Sequence, residues 1–200
     1  MKKKKLGHST DLVPHPRYGS EPIPSDVKGV STEAILRCHW SYRSSEIFPE
    51  SMLMADTSKQ NFNVFPRECY VDMRKICRSC QRPFIFFAAE QKHWFEVLQF
   101  YVDADCVHCP ECRVQRIAAK RACQRYSSLI LLAKPTPDEL QQLVDASVLL
   151  HAQGTLKSRN RLGKLKNAAL RLIPDYPVTL ALIDALGKKD ALPPNQGKGI

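Results

Sequence analysis

The chain has 200 residues, with 30 Lys and Arg against 20 Asp and Glu, and eight cysteines. That length suits one domain or two small ones, and 44% hydrophobic with 25% charged residues excludes wholesale disorder. No apolar run approaches the roughly 18 residues of a membrane span. No apolar stretch follows Lys2 to Lys5, so the sequence reads as cytoplasmic, with no secretory signal and no membrane partner.

The formal net charge of +10 points to an anionic partner. It divides unevenly along the chain. Residues 1–32 carry +3 and residues 33–112 carry −2. Residues 113–173 carry +9, from twelve bases and three acids, and residues 174–200 carry none. Seven of the eight cysteines lie in the slightly acidic stretch, and most of the basic excess follows them.

In chain order, residues 1–32 read as a flexible arm, punctuated by Pro14, Pro16, Pro22 and Pro24. Glu33–Trp40 has a short helical pattern, Glu50–Lys59 reads as a helical turn or two, and Asn61–Phe65 as a short extended piece. Cys38 and His39 are adjacent, a poor geometry for one metal, and read as structural. Residues 62–101 hold ten of the sixteen aromatic side chains, which places a small aromatic core there. Within it Phe84–Phe87 reads as a strand and Glu90–Leu98 as a short helix.

From Cys112 onward the pattern is helical. Glu111–Ala133 contains no Gly or Pro, and Pro135 ends it. Thr136 is a suitable N-cap, with Pro137, Asp138 and Glu139 in the first turn. Gly154 closes that helix, and Thr155 is placed to cap the next. In the next helix Leu162, Leu165, Ala169, Leu172 and Ile173 form an apolar stripe, while Lys157, Arg161, Lys164 and Arg171 share another face. Val178–Leu186 is a last short helix, and a loose tail is expected over 188–200. The expected architecture is therefore a small α+β module at 33–116 and an all-α helical region at 117–187.

The module carries Cys77-Arg-Ser-Cys80, then 28 residues, then Cys109-Pro-Glu-Cys112. In a reducing compartment two C-x2-C pairs suit a tetrahedral Zn²⁺. A closed sphere of four thiolates leaves no position for water, so such a site stabilises a fold and does not catalyse. Cys106 with Cys109 is also a C-x2-C, and His108 is a further conceivable ligand, so spacing alone leaves the second pair open. Iron in a rubredoxin-like site and a dithiol redox switch are rival chemistries. Cys69 and Cys123 read as structural.

Cys77-x2-Cys80-x3-Phe84-x-Phe86-x3-Glu90-Gln91-x2-Trp94, closed by Cys109-x2-Cys112-Arg113, resembles the probable zinc-ribbon domain family of bacterial proteins of uncharacterised role. The resemblance covers about residues 70–116 and implies a zinc-stapled module, zinc-ribbon or treble-clef-like, in which Cys77, Cys80, Cys109 and Cys112 hold one structural zinc, which demotes Cys106. Gln81 stands where zinc knuckles often carry Gly, and Cys106 where the family tends to have Pro.

No Gly-rich nucleotide loop, no H-E-x-x-H and no Ser/His/Asp set is present, and no small-molecule substrate is evident, so a non-catalytic protein is expected. Two partner classes follow. Nucleic acid, RNA or the ribosome, would meet Arg116, Lys120, Lys157, Arg161, Lys164 and Arg171 on the C-terminal helices. Alternatively, the protein is a zinc-scaffolded adaptor whose helical region binds an acidic protein partner. The module's own charge of −2 argues against its reading bases directly.

Overall fold

The computed structural model describes residues 12–187. The chain divides into two compact units, 1–114 and 115–200. The expected arm up to residue 11 and the expected tail at 188–200 lie outside the described residues.

The first unit is built on an antiparallel sheet of three strands in the order β1 (Glu46–Met54), β2 (Cys69–Ile76), β3 (Pro83–Phe86). Helix α1 (Thr32–Cys38) precedes it, capped by the Ser31 hydroxyl, which accepts from the Ala34 N–H. A 3₁₀ turn, Trp40–Ser44, follows α1. β2 is the central strand and is buried on both faces at Cys69–Met73. Successive strand residues point to opposite faces. Cys69, Val71 and Met73 accordingly pack with Ile35, Tyr42 and Met52, whereas Tyr70 packs with Ala88 and Phe95 on the other side.

β1 departs from the helical reading of Glu50–Lys59. Only Thr57–Lys59 is helical, as a single 3₁₀ turn. The strand is an edge, where Pro49 removes no central ladder bond. Its register jumps from Phe48 opposite Asp72 to Leu53 opposite Tyr70, which marks a bulge. At the bulge the Ser51 hydroxyl accepts from the Asp72 N–H at 2.7 Å and donates to the Phe48 carbonyl at 2.6 Å. A side chain thus supplies the hydrogen bonds that the interrupted ladder omits.

After β3 come α2 (Ala88–Lys92) and a π turn, His93–Val97. Buried Gln91 fastens α2 to the sheet, donating to the carbonyls of Val71 (2.6 Å) and Phe86 (2.9 Å). From Leu12 onward the expected arm bonds to this unit. Val13 is buried and bridges Phe84, and Ile23 N–H donates to Asp72 Oδ2 at 2.9 Å. The other oxygen of this buried carboxylate accepts from the Ala88 N–H at 2.6 Å, so Asp72 also holds the start of α2.

Helix α3 (Pro110–Leu129) begins in the first unit and runs into the second. The second unit adds α4 (Pro137–Ala152), α5 (Arg159–Leu172) and α6 (Pro177–Gly187). Its core joins Ala122, Leu140, Val144, Leu162, Leu165 and Leu182. Thr136 and Glu139 form a reciprocal capping box at the start of α4. α5 is capped by Ser158, which accepts from the Arg161 N–H, and not by Thr155. Gly154 turns the chain at φ +71°, Thr155 and Leu156 N–H groups both return to the Leu150 carbonyl, and Leu156 is seated in the core before the helix can start. Among the described residues no helix is long and apolar enough to cross a membrane.

Candidate metal centre

The two cysteine pairs reach the site from different local structures. β2 and β3 pair from Met73 with Phe86 to Ile76 with Pro83, so residues 77–82 form the turn of a hairpin. Cys77 N–H bonds the Arg82 carbonyl at 3.0 Å and Gln81 N–H bonds the Cys77 carbonyl at 2.9 Å. This tight turn requires φ +60° at Gln81. Cys109 lies just before α3, with Pro110 at the first helical position and Cys112 in the first turn. The positive end of a helix dipole favours thiolates there.

The Sγ atoms of Cys77, Cys80, Cys109 and Cys112 all lie within 4.8 Å of one another. Cys80 and Cys109 sulfurs are 3.8 Å apart. A tetrahedron with Zn–S bonds of about 2.3 Å has S···S edges of about 3.8 Å, so the donor set fits one tetrahedral ion of that size. Cys77 and Cys109 are fully buried, Cys112 is nearly so, and Cys80 is exposed.

The protonation energetics suit a cation. Burial opposes charge on Cys77, but backbone N–H groups of Cys109, Cys80 and Ser79 aimed at its sulfur outweigh that and hold the thiol at about 5. Burial raises the Cys109 and Cys112 thiols, and for Cys112 the neighbouring thiols add to the rise. One thiolate therefore forms readily, and crowding opposes the rest. A divalent ion among them reverses that opposition.

Cys106 is not in the cluster. It is buried beside it, its thiol pushed up to about 12 by that burial and donating to the His108 carbonyl at 3.5 Å. His108 is outside as well, and its Nδ1 lies 3.1 Å from Ser79 Oγ. With the Arg78 N–H to Val107 carbonyl bond (2.9 Å), this contact ties the first cysteine turn to the loop carrying the second pair.

Residues 71–121 match a family model described as a probable treble clef domain. The match spans about a quarter of the chain. No curated protein and no solved structure matches. In this treble clef a knuckle at the end of β2 and the first turn of α3 supply two sulfurs each, positioned to hold one metal ion, and treble clef domains bind zinc. The motif's other positions have physical roles as well. Arg113 Nη1 donates to Glu90 Oε1 at 2.6 Å, and the Arg113 guanidinium lies 5.2 Å from the Trp94 ring centroid. Phe86 and Trp94 rings pack at 4.9 Å. Glu90, Trp94 and Arg113 thus lock α2 to the start of α3 beside the sulfurs. Arg82, two residues after Cys80, pairs with Glu111 at 3.0 Å.

The expected nucleic-acid contacts are all exposed. Arg116 and Lys120 lie on α3, Lys157 just before the α5 cap, and Arg161, Lys164 and Arg171 on α5. The sequence reading missed the surface placement of Phe62, Phe65, Phe100 and Tyr101, which it assigned to the core. Hydrophobic content alone carried no signal that these rings face outward.

Proposed function

We propose that the protein is a non-catalytic zinc-binding protein that associates with nucleic acid, RNA or the ribosome, through its basic C-terminal helices. The zinc staples the treble clef and supplies no reaction. The observation that carries the reading is the division of α5 into two faces. Leu162, Leu165 and Ala169 are buried, whereas Arg161, Lys164 and Arg171 are exposed and fall within about 80° of arc at the pitch of a helix. No acid lies between Lys157 and Arg171. A phosphate backbone suits such an unbroken positive face.

Binding to a mixed-sequence RNA should weaken steeply with added salt, and the charge reversals Lys157→Glu, Arg161→Glu and Lys164→Glu together should abolish it. Absence of binding at low salt would contradict the reading. A second reading, an adaptor for an acidic protein partner, is favoured by exposed Leu131, Leu172 and Leu180 in the same unit. A pull-down with and without nuclease separates the two, because only nucleic-acid-dependent partners are lost on digestion.

A further inference from the structure

The first unit carries a cavity of about 430 Å³ whose walls join three chemistries. Trp40, Phe65 and Tyr101 supply aromatic faces, Arg37 and Arg43 supply guanidinium groups, and Asp103 supplies a carboxylate. The volume is that of a small-ligand pocket. Trp40 is 61% exposed and Phe65 79% exposed. Rings this large are ordinarily buried in a small metal-stapled unit.

Trp40 is exposed but not loose. Its Nε1 donates to Asp103 Oδ1 at 2.9 Å, and the same oxygen lies 3.1 Å from His39 Nε2. His39 is buried and its ring stands 5.3 Å from the indole. The indole is therefore held in one orientation with its face open. Phe65 and Tyr101 line the same cavity as this open indole face. Arg37, in the last turn of α1, has no ion pair or hydrogen bond among the described residues. Asp103 Oδ2 likewise has no partner there, and Glu68 lines the same cavity.

The geometry points to a site for one unpaired nucleotide of a single-stranded nucleic acid, its base stacked on Trp40 and Phe65 and its phosphate on Arg37 and Arg43. The carboxylates at Asp103 and Glu68 face the N–H edge of the base. An apolar peptide would leave the guanidinium groups idle, and a cationic ligand would meet them as like charges. A nucleotide uses the ring faces, the cations and the acceptors together. The module's net charge of −2 is an average, and Arg37 and Arg43 stand at this cavity, with Arg43 Nε donating to the Leu36 carbonyl at 3.4 Å. The site does not rest on the α5 face and involves none of its residues.

The test is fluorescence anisotropy of a labelled eight-nucleotide single-stranded RNA titrated with the full-length, zinc-loaded protein. Trp40→Ala and Phe65→Ala should each weaken binding about tenfold or more, with zinc content and circular dichroism unchanged. Trp40→Phe should retain most of the affinity, because a stacking face remains. Arg37→Ala should lower the salt slope by about one phosphate contact. A duplex of the same sequence should show no dependence on Trp40, since its bases are already stacked and paired. Wild-type affinity in both aromatic variants would overturn the site. So would Trp40-dependent binding of a mononucleotide as tight as that of the RNA, which would make the ligand a free nucleotide, or Trp40-dependent binding of a trimethyl-lysine peptide in place of RNA. The triple charge reversal at Lys157, Arg161 and Lys164 is measured alongside. Its failure with the Trp40 effect intact removes only the helix reading, and the opposite pattern removes only the pocket.

Discussion

Beside the glycines, two glutamines among the described residues hold left-handed positions. Gln81 follows the knuckle's second cysteine at φ +60°, and Gln99 turns the chain after the π turn at φ +51°. Such conformations cost a side-chain-bearing residue about 1–2 kcal/mol. At Gln81 the amide recovers a hydrogen bond to the Arg78 carbonyl at 3.1 Å. His39 is a buried residue whose charge state is linked to folding. Burial, and then the charge of Arg67, lower its pKa to about 4 against the opposing pull of Asp103. The Ser41 N–H donates to Nδ1, which leaves the proton on Nε2 facing Asp103. An unfolded chain takes up the proton near 6.5, and the folded chain only near 4. Stability therefore falls as the pH is lowered through that window, by about 3 kcal/mol at pH 4. His39→Gln should flatten the slope between pH 6.5 and 4 in chemical denaturation with zinc held in excess. A slope unchanged from the wild type would contradict this assignment.

At the scale of elements, a buried amide fastens α2 to the sheet. Gln91 has no exposed surface and donates to one carbonyl on β2 and one on β3, while Tyr42 Oη donates to Gln91 Oε1 at 3.4 Å. Gln91→Leu keeps the volume and strands these acceptors. Each buried unsatisfied group costs about 1–3 kcal/mol, so the variant should lose about 2–4 kcal/mol in urea unfolding. A loss under about 1 kcal/mol would show that packing, not the amide, seats the helix. The cysteine pairs and the helices around Thr136 and Gly154 were legible in the sequence because their signals are local. Spacing, caps and stops act within a turn or two. β1 was not legible. Met52, Leu53 and Met54 are good helix formers, and only pairing with a distant strand, with Ser51 bridging a bulge at Pro49, makes them extended. The outward rings at Phe65 and Tyr101 were illegible for the same reason, since burial is a tertiary property.

At the scale of the whole molecule, the two units rely on different sources of stability. The helical unit has a continuous aliphatic core of its own, whereas the cluster around Val13, Phe84, Phe86 and the cysteines is small and built against the metal site. Chelation of the metal should therefore remove the near-ultraviolet signal of Trp94 while most of the helical circular dichroism of α4–α6 survives. Loss of all structure together would show that the units do not fold separately. The assignment of the four sulfurs underlies both the fold and the proposed scaffold role. Native mass spectrometry of the wild type, Cys112→Ser and Cys106→Ser measures it most directly. One zinc per wild-type chain is expected, retained in Cys106→Ser and lost or greatly weakened in Cys112→Ser. A metal-free or iron-loaded wild type, or zinc lost on changing Cys106 and kept on changing Cys112, would contradict it.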